Sequence, residues 1–151
     1  FIACGGTNEK RAKLVTEKVE PIAIIENNEE KEEEETKEMV QEEIIQLAWE
    51  KDLNNCNSEE CYLLGTKYYI SEDNLNHIDK IQAFWNKGCE GGSYNACYAI
   101  GSLMFTGAFQ KMFKKDREQG IYYLDKAYEA GSDEEKQSIL TNFPEYAKDR
   151  E

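Results

Sequence analysis

The sequence predicts an all-α fold, a short α/α solenoid of about two to three helical hairpins. Three observations predict it. From Met39 onward, apolar residues recur at three- and four-residue spacing, the period of a helix with one buried face. Pro occurs only twice and Tyr nine times in 151 residues, which favours helices packed through rings over a turn-rich sandwich. The helical segments also repeat. Gly92–Gly101 (GSYNACYAIG) parallels Cys56–Gly65 (CNSEECYLLG) at an offset of 36 residues, and Phe84–Gly92 parallels Tyr123–Gly131 at an offset of 39. Units of this size bury their faces by stacking on one another.

Residues 1–38 read as a signal remnant and flexible acidic tether. The chain opens Phe1-Ile2-Ala3-Cys4-Gly5-Gly6 without Met. This resembles the end of a bacterial lipoprotein signal, which implies that Cys4 carries a lipid and tethers the rest to one membrane face. The alternative is a stray Cys. Val15, Val19, Ile22, Ile24 and Ile25 surround Pro21 and read as a short strand-like segment. Glu26 to Glu38 includes four consecutive Glu, whose repulsion keeps the chain extended or solvates a helix start. Carboxylates on a flexible run form no preorganised metal cage.

Residues 39–151 read as the packed domain. A first helix carries Met39, Val40, Ile44, Leu47, Ala48 and Leu53 and ends at Asn54–Asn57. A second spans Glu59 to Ile70, with Leu63, Leu64, Tyr68 and Tyr69. A third spans His77 to Glu90, with Ile78, Ile81, Phe84 and Trp85 inward, closed by Gly91-Gly92. A fourth covers Tyr94 to Thr106. A fifth runs from its cap Asp116 to Ala130. A sixth starts near Ser132 and stops before Pro144, and Tyr146 to Glu151 adds a fragment. Small residues at Gly65, Gly88, Ala96, Gly101 and Ala127 let helices approach closely. Tyr68, Phe84, Trp85 and Tyr123 fill the space between layers.

With these residues in place, the chain resembles the SEL-one-like repeat family, relatives of the tetratricopeptide repeat. The better copy runs Ala96, Ile100-Gly101, Met104, Gly107, Asp116, Tyr123, Lys126-Ala127, Gly131. The preceding copy runs Leu64-Gly65, Tyr68, Lys80, Phe84-Trp85, Lys87, Gly92, and an earlier half survives as Ala48-Trp49 and Lys51. His77 stands where the family has Asp, Ser71 where it has Gly, and Gln119-Gly120 where it has Lys-Ala. Cysteine-rich secreted members staple successive helices with disulfides. That resemblance implies the pairs Cys89–Cys97, across the Gly91-Gly92 turn, and Cys56–Cys61, at the previous junction. Four of the five Cys are then paired and Cys4 is left for lipid, which implies an oxidising compartment. The alternative is four buried thiols in a reducing one. Some cysteine-rich members bind or cleave β-lactams, but no residue here carries such a site.

The chemistry-bearing residues point away from catalysis. His77 is the only His, and it sits at a helix cap. Glu59 with Glu60, and Glu134 with Glu135, diverge around their helices. No glycine-rich phosphate cradle is present. The Cys spacing is wrong for zinc. No metal and no cofactor are expected. With 31 acidic against 18 basic residues and a net charge of -13, nucleic acid is a poor partner, and membrane contact is expected only through the lipid.

The remaining reading is protein binding. Lys67, Tyr68, Tyr98, Ser102 and Phe105 are candidates on the concave face. The loop Gly107–Asp116, longer than its counterpart, adds Phe109, Lys111, Met112, Phe113 and Lys114. Its apolar residues either form an exposed anchor cluster or tuck back onto the array. Such repeats are scaffolds that bind proteins, and acidity suits a partner with a basic surface. Some bacterial lipoprotein immunity proteins against phospholipase-type toxins resemble this assembly. The expectation is therefore a periplasmic, membrane-anchored immunity protein that occludes a secreted toxin. The alternative is a general envelope adaptor or host-interaction repeat protein.

Overall fold

The computed structural model describes the backbone of residues 2–150 and the side chains of residues 29–150. It is all-helical, with seven α-helices and no strand among the described residues. They are α1 (Ile2–Asn55), α2 (Ser58–Tyr69), α3 (Ile78–Glu90), α4 (Tyr94–Thr106), α5 (Arg117–Ala130), α6 (Asp133–Asn142) and α7 (Pro144–Asp149), with a 3₁₀ turn at Asn74–His77. The chain divides into two units, Phe1–Ala48 and Trp49–Glu151. The division falls ten residues beyond the expected boundary after residue 38.

The first unit is the greater part of α1. Its backbone is helical where the sequence predicts a linker and a strand-like stretch. Residues 22–55 contain neither Gly nor Pro, and Glu, Lys and Gln are good helix formers. The expected inward face is also corrected. Met39, Val40, Ile44 and Leu47 are all exposed. The Cys4 side chain lies outside the described residues.

The second unit follows the sequence closely, because its helix ends are marked by caps. Asn57 accepts from the Glu60 N–H while Glu60 accepts from the Asn57 N–H, a reciprocal pair that satisfies two otherwise unpartnered donors. Ser132 and Glu135 do the same for α6. Ser93 caps α4 and Asp116 caps α5. Gly107, at φ 71°, ends α4 in the left-handed conformation that glycine adopts without a Cβ penalty.

α2 packs on α3, α3 on α4 and α4 on α5, with α6 and α7 following. Ile81, Trp85, Ala96, Ile100, Leu124, Ala127, Ile139 and Tyr146 form one core. Cys56, Cys61 and Phe84 form a second, with Trp49 and Leu53 against it. The expected close approaches are present. A Cβ on Gly65 would stand 2.5 Å from Trp85, and one on Gly101 would stand 2.9 Å from the Leu124 backbone. Leu63 does not join the core of its helix; it is 59 % exposed.

Both disulfides form as the resemblance implies. Cys56–Cys61 joins the end of α1 to α2 at a Cα separation of 5.2 Å. Cys89–Cys97 joins α3 to α4 at 4.6 Å. Two disulfides fit an oxidising compartment, extracellular or periplasmic. No helix among the described residues is long and apolar enough to cross a membrane.

Candidate functional site, a groove between α2 and α4

In the second unit a groove of about 310 Å³ lies between α2 and α4. Its construction starts at Trp85 on α3. The missing side chain at Gly65 admits the indole to the α2 backbone. There Trp85 Nε1 donates to the Tyr62 carbonyl at 3.2 Å and to Thr66 Oγ1 at 3.4 Å. Thr66 Oγ1 in turn donates to the same carbonyl at 2.8 Å. The Trp85 ring stacks with Tyr62 at 6.4 Å and tilts against Tyr69 at 5.1 Å. It is only 2 % exposed, so it forms a floor rather than a wall.

On that floor α2 contributes Tyr62, Thr66, Tyr69 and Ile70, and α4 contributes Tyr98, Ala99, Ser102 and Leu103. Tyr62 and Tyr98, and Thr66 and Ser102, stand 36 residues apart. The groove therefore runs from an aromatic end at Tyr62 and Tyr98, past the hydroxyls of Thr66 and Ser102, to Tyr69, Ile70 and Leu103. Ile70, at 75 % exposure, is its most open member. At the aromatic end Glu59 ties the two helices together. Its carboxylate accepts from Ser93 Oγ and Asn95 Nδ2, each at 2.9 Å.

Tyr98 and Ser102 line this groove as candidate residues, and Asn142 on α6 donates to the Tyr98 hydroxyl. The other candidates lie elsewhere. Lys67 is exposed on α2 without lining the groove. Tyr68 packs between Phe84, at 6.1 Å, and His77, at 5.0 Å; burial, then the charge of Asp52, pushes its hydroxyl up in pKa. Phe105 is buried edge-on to Phe143, under the Arg117 guanidinium.

The loop takes the tucked arrangement, and the exposed anchor cluster is corrected. Met112 and Phe113 are buried, at 2 % and 6 % exposure. Phe113 stacks on the underside of Trp85 at 5.9 Å, and Gln82 donates to the Met112 carbonyl at 2.7 Å. The reason is that Phe113 gains the apolar face of the Trp85 ring and both Met112 and Phe113 join the main core. Phe109 is half-buried, edge-on to Tyr69. Lys111 and Lys114 remain exposed.

Sequence reasoning missed Tyr62, Thr66, Tyr69, Ile70 and Leu103. A signal for the first two was present: subtracting the 36-residue offset from Tyr98 and Ser102 gives Tyr62 and Thr66.

Other features have local explanations. A larger hollow runs along α1 beside Glu29, Glu33 and Val40; a single helix supplies no second wall. A smaller one lies beside Asp125, Tyr146 and Arg150. There Tyr146 donates to Asp125 at 2.6 Å and Arg150 bonds to both, which docks α7 on α5. Burial, then Asp125, pushes the Tyr146 hydroxyl well up. His77 Nε2 lies 3.0 Å from Asp73. Hydrogen bonds from Ser71 and His77 hold the Asp73 carboxyl below the usual range. Among the described residues no three His, Cys, Asp or Glu gather as a metal site. Compared with known proteins, the chain matches no family model, no curated protein sequence and no solved structure.

Proposed function

We propose that the chain is a non-enzymatic protein-binding module of a bacterial envelope compartment, built as a short array of SEL-one-like repeats. The observation that carries this reading is the α2–α4 groove. It combines half-buried aromatic side chains and the exposed Ile70 with hydroxyls on a buried indole floor, the composition of a protein-recognition surface. The two disulfides support an oxidising location, and a lipid on Cys4 would hold the module at the periplasmic membrane face.

In its narrower form the reading is an immunity protein that occludes a secreted toxin. A net charge of -13 favours fast capture of a basic toxin surface. The test is co-expression with candidate toxins encoded beside it. An immunity protein copurifies one-to-one with the toxin and abolishes its activity in a purified assay. Binding to a resident envelope protein, with no effect on any neighbouring toxin, would instead establish the adaptor reading.

A further inference from the structure

We propose that the groove takes a basic peptide segment, which seats an apolar side chain over Thr66 and Leu103 and sets a Lys or Arg beside Glu59. This rests on the protein-binding reading and adds the chemistry of the partner.

Glu59, Tyr62 and Thr66 follow one another at three- and four-residue spacing, so they share one face of α2. That face is the wall of the groove, since Ser93 and Asn95 at the start of α4 reach across to the Glu59 carboxylate. Both donors are neutral. They aim the carboxylate and leave its charge in place. The ion pairs among the described residues join His77 to Asp73, Arg117 to Glu145 and Asp149, and Arg150 to Asp125. Glu59 is in none of them.

Lys67, the one basic residue of α2, lies eight residues from Glu59, about 12 Å along the helix. Lys67 stands 36 residues before Leu103. Leu103 enters the groove from the flank of α4 that faces α2. Lys67 is exposed and is not among the residues that line the groove. On α6, Glu134 follows Asn95 by 39 residues, which places a second carboxylate in the equivalent row. Residues 49–151 carry 18 acidic against 12 basic side chains, so the background field has the same sign. One turn along α2 from Glu59, the half-buried Tyr62 ring adds aromatic surface of the kind that attracts a cation.

The spacing is a further constraint. Glu59 and Thr66 are seven residues apart on a helix, about 10 Å at 1.5 Å per residue. The basic residue and the apolar anchor of the partner are therefore separated by about three residues in an extended segment, or by two turns of helix.

Panning a phage library of random twelve-residue peptides against the intact, disulfide-bonded protein tests this. Enriched sequences are then synthesised and their binding measured by fluorescence anisotropy at low and high salt. The expected sequences carry Lys or Arg three or seven positions from Leu, Ile, Phe or Met. Leu103→Glu abolishes their binding. Glu59→Gln weakens it by roughly two- to five-fold, the range of one exposed charge pair, and flattens its salt dependence. If Leu103→Glu fails to fold by circular dichroism, Ser102→Arg serves as the groove block. Peptides that need the groove but lack the basic residue, or that ignore Glu59→Gln, overturn this proposal and leave the protein-binding reading standing. Enriched peptides indifferent to the groove block, or no enrichment at all, overturn both.

Discussion

Gly120 illustrates how a single departure from a repeat pattern finds its reason in packing. The resemblance places Ala at this position. A Cβ there would lie 2.6 Å from the Phe105 nitrogen and 2.7 Å from its Cα. Both are backbone atoms of α4 and cannot swing aside. Phe105 sits this deep because it is packed edge-on to Phe143. Overpacking of this kind costs about 1–3 kcal/mol, so Gly120→Ala is expected to lower the melting temperature by about 10 °C. A circular dichroism melt checks it, and an unchanged midpoint would show that α4 and α5 part easily. The sequence flagged Gly120 only as a mismatch. The close approach depends on which backbone lies opposite, and no local pattern records that. Trp85 teaches the same lesson at the site. Its size and apolar spacing announced a buried ring. Its role as a floor, with α2 on one face and Phe113 beneath, depends on a glycine twenty residues earlier and a loop twenty-eight residues later.

The helices of the second unit were legible because their ends carry chemistry. Asn57, Ser93, Asp116 and Ser132 accept from backbone N–H groups at the starts of α2, α4, α5 and α6, and Pro144 opens α7. Two things were not legible at this scale. The extent of α1 was missed because a run of Glu reads as repulsion, while its intrinsic preference is helical. The fate of Met39 to Leu47 was missed because periodicity identifies a face and does not supply what covers it. The disulfide elements give a direct test. Native protein treated with alkylating agent is expected to gain no adduct at Cys56, Cys61, Cys89 or Cys97, as read by mass spectrometry. Replacing Cys89 and Cys97 together by Ala removes a closure of fewer than ten residues, a loss of about 2–3 kcal/mol in the chain-entropy account. A urea midpoint unmoved by that double substitution would mean that packing of α3 on α4 already sets the turn.

At the scale of the molecule, acidity and ring packing set the response to pH. Burial, then Tyr98 and Glu135, pushes the Tyr94 hydroxyl up to about 12. Tyr68, Tyr123 and Tyr146 are raised as well, each mainly by burial. A phenol whose folded pKa exceeds its unfolded value near 10 favours folding fully below pH 10. That contribution is lost as pH rises through the folded value. Stability is therefore expected to fall steeply between about pH 10 and 12, and Tyr94→Phe is expected to make the fall shallower. Urea midpoints measured across that range decide it, and identical slopes for the two proteins would remove Tyr94 from the account. The net charge of -13 is shared between the units, with 13 acidic and 6 basic side chains in residues 1–48 and 18 and 12 in residues 49–151. The packed unit is thus acidic in its own right, and its long-range attraction for a basic partner does not require the Glu run of α1.

The Cys89–Cys97 link has a consequence for survival among proteases. It brackets the whole turn that contains Gly91 and Gly92, an exposed stretch of backbone. A protease that severs the chain there leaves both halves covalently joined, and the core on either side of the cut stays packed. Such damage would go unseen on a non-reducing gel and would separate the molecule into two fragments only once the bond is reduced. In a space without thiol reductants, a nicked copy would keep its groove and stay in service.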